Sequence, residues 1–149
     1  MKTTFEHLRQ TRNNLLSFFE KHEGKAHLIP NGFNNSLFWN LAHCVVTQQL
    51  LCYKLSGNEM LISDEVVEKY RKGSLAPTEV PSDIELNQIK ELIISSVDQL
   101  ENDYNGGLFN QYSEYPTSYG VTLNSIEDAI QFNTVHEALH LGYMMSMVK

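Results

Sequence analysis

The chain has 149 residues, 42% apolar and 19% charged, with four prolines and eight glycines, the make-up of one compact soluble domain over residues 1–149 and not of a disordered segment. Its formal charge of -7, with 11 Lys and Arg spread over every segment, excludes nucleic acid as an expected partner. The opening MKTTFEHLRQTRNN mixes charges among its apolar residues and no apolar run approaches the roughly 20 residues of a membrane span, so no membrane partner and a cytoplasmic location are expected.

Helical periodicity begins at about Thr4 and runs to Lys21, introduced by the Thr3-to-Glu6 capping-box spacing and carried by Phe5, Leu8, Leu15, Phe18 and Phe19. A loop with Pro30 and Gly32 leads to Asn35, the predicted N-cap of a second helix over about Ser36–Ser56. That helix is apolar around most of its circumference and ends at Gly57, so it is expected at the centre of the packing or against a second copy of the chain. The long connection to Pro81 contains a predicted short helix near Asp64–Lys72. Ser82 and Glu85 then form a capping box for a third long helix reaching about Tyr104.

The next loop, from Gly106, is rich in rings: Phe109, Tyr112, Tyr115 and Tyr119. They are expected to lid one end of the molecule, with one or two phenols at a pocket mouth. A fourth long helix, capped by Asn124 with Glu127 at the box spacing, runs almost to Lys149. Four amphipathic helices with no convincing strand pattern predict an all-α fold, a helix bundle. Cys44 and Cys52 would stand about 12 Å apart on one helix, out of disulfide reach, and read as packed thiols.

The fourth helix contains HEALH, which puts His136 and His140 on one face about 6 Å apart along the axis, ready to share an ion. H-E-x-x-H is also the zinc-protease pattern, but the position that would hold the third histidine of one such group is Ser146. No room remains before Lys149 for the downstream carboxylate of another, and no strand is predicted to hold a peptide, so a zinc protease is not expected. The third ligand is sought upstream. His7, His22 and His27 lie at helix flanks or in a loop, whereas His43 sits two turns inside the most apolar helix, on the face of Trp39, Val46 and Leu50.

Buried imidazoles need partners for their nitrogens, and three on inward faces of two helices can be satisfied together by one cation. Three separate core histidines, each bonded to a carbonyl or a tyrosine, are the alternative. A set of three imidazole ligands leaves a tetrahedral ion one open position, the mark of a reactive site. Zinc suits such ligands, and nickel, cobalt and iron are compatible. Glu137, about 100° around the helix from His136, is read as a base on bound water, an orienting group, or an ordinary solvated or interhelical contact.

The stretch NNSLFWNLAHCVVTQQLLCYKLSG, with Trp39, His43 and Gly57, together with YRKGS and the closing HEALHLG, resembles the DinB-like (DinB/YfiT) metalloenzyme family over essentially the whole chain. The resemblance implies a four-helix bundle in up-down-down-up order, with the Gly57–Pro81 segment as its crossover. It also implies a metal triad on His43, His136 and His140, a homodimer, and a glycine at Gly142 that permits close helix packing. Tyr143 stands where many relatives have Gln. Relatives of this kind include transferases and isomerases using low-molecular-weight thiols. The expected activity is therefore that of a metal-dependent thiol transferase, or a hydrolase of the same ligand set, acting on a small molecule, with zinc or nickel as the ion and Tyr143, Tyr119 and Glu137 as candidate catalytic residues. The competing expectation is a non-catalytic bundle whose metal is structural and whose surface serves a protein partner.

Overall fold

A computed structural model describes all 149 residues, Met1–Lys149. The protein is all-α except for one short ribbon. Its long helices are α1 (Lys2–Lys21), α2 (Leu37–Gln48), α4 (Asp83–Asn105) and α5 (Ile126–Met147), with the short α3 (Asp64–Tyr70) in the connection between α2 and α4. Helices α1 and α2 each pack against both α4 and α5, and the buried apolar residues form two clusters, the larger drawing on all four long helices. No helix is long and apolar enough to cross a membrane.

The helix starts follow side-chain chemistry, shifted from the sequence expectation at three of them. Ser36, not Asn35, caps α2 by accepting from the Trp39 amide. Ser125, not Asn124, caps α5 by accepting from Asp128, and Ser82 caps α4 through Glu85. The Thr3-to-Glu6 box is not used, because α1 already begins at Lys2 with Met1 as its uncapped start. In the aromatic loop two residue pairs, Tyr115–Pro116 (β1) and Thr122–Leu123 (β2), form a short antiparallel ribbon that sequence periodicity could not register at such length.

The second helix is not continuous to Ser56. After Gln48 it widens into a π-helical turn, Gln49–Tyr53, then tightens into a 3-10 turn, Lys54–Ser56, and ends at Gly57 with φ 71°. The widening accompanies two consecutive, fully buried glutamines that reach different partners. Gln48 donates to the Ser96 carbonyl on α4 (3.1 Å), and Gln49 accepts from the Leu61 amide (2.7 Å). Around α2 the chain covers its own apolar circumference: Leu37, Phe38, Trp39, Leu41, Ala42, Cys44, Val45 and Val46 are all buried. Helix two therefore offers no apolar face to a second copy, and the exposed apolar residues Val135, Leu139 and Met145 lie on α5 instead.

Cys44 and Cys52 are buried free thiols, and burial holds both in the protonated form. Gly142 departs from its expected packing role: it is exposed and a Cβ there would meet nothing within 4 Å. Gly142→Ala should therefore raise stability by about 0.4–1 kcal/mol through the unfolded chain, measurable as a shift in urea midpoint; a loss would mean that helix packing at this position does need the glycine.

Candidate metal centre

His43 comes from α2, and His136 and His140 from consecutive turns of α5. One ring nitrogen of each lies within 4.8 Å of the other two, so the three could hold a metal ion. The closest approach is 3.1 Å between the Nε2 atoms of His136 and His140, near the roughly 3.4 Å that two ligands of a tetrahedral ion with 2.0–2.1 Å bonds would show.

The orientation of two rings is fixed from behind. His43 Nδ1–H donates to the Tyr70 carbonyl at 2.7 Å, which leaves Nε2 with its lone pair toward the site, where the Thr47 hydroxyl now meets it at 3.2 Å. His140 Nδ1–H donates to Asn40 Oδ1 at 2.7 Å. The Asn40 amide cannot be turned the other way, because its Nδ2 donates to Asn35 Oδ1 (2.7 Å) and to the Ser36 carbonyl (2.8 Å). His140 Nε2 is consequently also a bare acceptor, and His136 Nε2 must supply the proton between them. His136 Nδ1 is then a buried acceptor with no partner. Two converging lone pairs and one imidazole left partly unsatisfied are what a cation would resolve, so the donor set fits a divalent ion that prefers nitrogen ligands.

Trp39 forms the floor, stacked on the His43 ring at 4.5 Å and 11° and tethered by Nε1–H donation to Ser74 Oγ at 3.0 Å. The YRKGS segment thus gains a structural meaning. It delivers the Tyr70 carbonyl to His43, turns at Gly73 with φ 83°, a conformation that favours glycine, and brings Ser74 to the indole.

All three imidazoles are pushed toward the neutral, metal-competent form. Burial lowers His136 to about 2, helped by the charges of His140, His43 and Arg12. Burial and His43 lower His140 to about 4, and burial lowers His43, with Lys72 adding to the effect against the Tyr70 carbonyl. Because these values lie below the ordinary 6.5, the unfolded chain takes up protons that the native rings refuse. The contribution of His136 and His140 to the stability of metal-free protein is therefore fully present above about pH 6.5 and declines as pH falls toward about 4, by on the order of 1 kcal/mol per pH unit for each of these two rings, and His43 acts in the same direction. Urea midpoints measured from about pH 7.5 to about 4.5 should trace that decline, and a flat profile would contradict burial of neutral imidazoles.

The site opens on two recesses. The first has a volume near 290 Å³ and runs from His43 and His136 past Thr47 to Leu50 and Leu51 on the widened turn and Leu55 on the 3-10 turn after it, with Phe132 and the ribbon loop residues Tyr115, Thr117 and Ser118 also lining it. The second, more open, exposes His140 beside Asn35, Leu139 and Tyr143. Tyr143 therefore borders the site, with its ring edge against Phe33. Tyr119 is 59% exposed and packs on Phe132, so its neighbours Tyr115, Thr117 and Ser118 line the cavity in its place.

Glu137 lies elsewhere. Its side chain is completely buried and faces the core, gripping Arg12 of α1 through two bonds (2.5 and 2.7 Å) and accepting from Asn133 (2.8 Å). Of the roles open to it in sequence, the interhelical contact is the one observed, and a carboxylate so engaged is not available as a base on bound water. Arg12 also donates to the Ile93 carbonyl and Ser96 Oγ on α4 and to the Cys44 carbonyl on α2, so one guanidinium ties all four long helices immediately behind the histidines. Sequence reasoning missed Arg12, Asn40 and Thr47; the available signal was a polar residue at each of these otherwise apolar helix positions.

The family model described as the DinB superfamily matches residues 7–144, and the chain belongs to that superfamily. No curated protein is similar enough to the chain to be matched with it.

Proposed function

We propose that this member of the DinB superfamily is a metal-dependent enzyme that activates a small thiol, or water, for transfer to a small electrophilic substrate. The observation that carries the reading is the pair of anchored tautomers: Tyr70 and Asn40 hold His43 and His140 so that both present a bare Nε2 to one point, beside His136 and at the wall of a cavity. His43, His136 and His140 would hold the ion, with zinc or nickel as the expected metal. Bound there, a divalent ion would supply Lewis acidity, lowering the pKa of a coordinated thiol or water.

The chain's own residues do the rest. Trp39 and the Tyr70 carbonyl keep the His43 ring from turning. Thr47, which donates to His43 Nε2, would be free to donate to an incoming group once that nitrogen is engaged. Leu50, Leu51, Leu55 and Phe132 exclude water from one side, and two phenols border the site, Tyr115 in the first recess and Tyr143 at the mouth of the second. The up-down-down-up order of a four-helix bundle belongs to the same reading, supported by the long α2–α4 connection and by the packing of α1 and α2 against both α4 and α5.

Reconstitution with Co(II), followed by titration with small thiols, tests the proposal. One ion per chain and a thiolate charge-transfer band are expected; substoichiometric binding after reloading would sink the metal site, and an unchanged spectrum would sink thiol activation. Removal of the ion should leave the helices intact, since the buried apolar core spans all four without it. Loss of a ligand present at about 100–1,000 times its Kd lowers stability by about 3–4 kcal/mol, or roughly 5–15 °C in Tm for a chain of this size. Complete unfolding on chelation, read by circular dichroism, would instead indicate a structural ion.

A further inference from the structure

The residues lining both recesses at the histidines include Lys54 and Lys72 but not one Asp or Glu, in a chain that carries 18 acidic residues and a net charge of -7. Lys69 and Lys90 both pair with carboxylates, Lys69 with Glu85 and Lys90 with Glu20 and Glu23. Lys54 and Lys72 are among the six lysines that pair with none, and neither donates a side-chain hydrogen bond to the protein; what sets them apart is their place at the histidine cavity, although Lys54 also borders a separate recess lined by Glu59 and Asp64. Two unneutralised ammonium groups at the rim of a cavity cleared of carboxylates make a local positive field against the charge of the whole molecule.

The backbone brings these lysines there by separate devices. Lys54 follows the π-helical turn Gln49–Tyr53, whose extra residue rotates everything after it by about 100° relative to a continuous α-helix. The same turn carries Leu50 and Leu51 on the cavity wall, and the 3-10 turn that follows it carries Leu55. Lys72 is carried by the turn after α3, between the Tyr70 carbonyl that anchors His43 and the Ser74 hydroxyl that anchors Trp39. It borders both recesses.

We infer that the cavity takes an anionic, amphipathic small molecule: an acid group at Lys54 and Lys72, an apolar body along Leu50, Leu51, Leu55 and Phe132, and a donor atom reaching the three histidines. The inference rests on the metal-site reading above and adds the charge and shape of its ligand. Neutral imidazoles bring no negative charge to a divalent ion, so an anionic ligand also balances the centre itself.

The test uses Co(II)-loaded protein and two probe pairs. The first is 3-mercaptopropionate against the neutral 3-mercaptopropan-1-ol, followed by the cobalt spectrum. The second is hexanoate against 1-hexanol, followed by calorimetry. Each is repeated on Lys54→Gln, Lys72→Gln and the double variant, and since both lysines are exposed these changes leave the core untouched.

Wild type should favour the carboxylate of each pair by about tenfold or more at low salt, and the preference should narrow to within about threefold in the double variant and shrink as salt rises. Because a carboxylate could also reach the ion directly, lysine dependence is the deciding readout. A preference of the same size in the double variant, no preference in either pair, or no binding by any probe overturns the inference. The two readings fail separately. Thiols that bind equally with or without a carboxylate leave thiol activation standing and remove the anion site. A silent cobalt spectrum with a lysine-dependent hexanoate advantage does the reverse.

Discussion

Arg12→Ala should destabilise the protein by about 3–5 kcal/mol in urea or guanidinium titration at neutral pH, the range for removing one member of a fully buried ion pair. Both partners have 0% side-chain exposure. With the guanidinium gone, the Glu137 carboxylate would face the core with only Asn133 as a donor, and water cannot reach it without opening the packing of α1 against α5. Glu137→Ala should cost a similar amount by stranding the cation. Replacing both with apolar residues, Arg12→Met with Glu137→Leu, should recover most of the loss, because the desolvation of two charges disappears together with their attraction.

The double-mutant cycle therefore separates a strong coupling from a modest net contribution. Single losses under about 1 kcal/mol would show that the pair is not the buried tie described. The metal stoichiometry of the double variant carries further information. Arg12 reaches α2 and α4 as well as α5, so the pair fixes the rotation of the helix that bears His136 and His140. If that rotation is what aims the imidazoles, the stable double variant should bind metal more weakly than wild type.

The elements most legible in the sequence were those governed by period and cap. The four long helices are where apolar spacing puts them, and the starts of α2 and α5 moved by one residue because adjacent Asn and Ser compete for the capping position at Asn35–Ser36 and Asn124–Ser125. The histidine cluster could be anticipated because i, i+4 spacing and burial are both properties of a helix face. What could not be read was the identity of long-range partners. Phe5, Leu8, Arg12, Leu15 and Phe19 form one buried stripe of α1, and Ile130, Asn133, Glu137 and Met144 one of α5. A charge at a core position on each helix was visible, but only packing shows that the two meet. Glu137 drew attention as the glutamate of H-E-x-x-H, and that adjacency to His136 concealed its place about 100° around the helix, on the stripe that meets Arg12. The π-helical turn escaped for a related reason: QQLLCY carries no breaker, and the turn answers to what Gln48 and Gln49 bond across the core.

His136→Leu should abolish stoichiometric metal binding while leaving the metal-free protein as stable as wild type or more so. The ring's Nδ1 is buried without a partner, a defect of the order of 1–3 kcal/mol that a leucine of similar volume removes; the bond lost in exchange, from His136 Nε2–H to His140 Nε2, lies where His140 borders the open recess and water can replace it. The other two imidazoles differ. His43→Ala and His140→Ala also lose the ion, but each strands a polar atom, the Tyr70 carbonyl or Asn40 Oδ1, so each should cost the metal-free protein about 1–3 kcal/mol. Asn40→Ala keeps all three ligands and should weaken metal affinity by about 10–100-fold, the usual consequence of releasing a ligating imidazole from its supporting partner. Metal titration and urea denaturation on the four variants therefore give opposite rankings at His136: among the worst for binding, best for metal-free stability. A site kept for packing would show parallel rankings instead, with His136→Leu destabilising like the rest. The predicted inversion follows from one geometric fact, that the His136 ring is placed where its nitrogens are better matched to a cation than to the protein around them, and stability surrendered in that way is the signature of a position shaped for function.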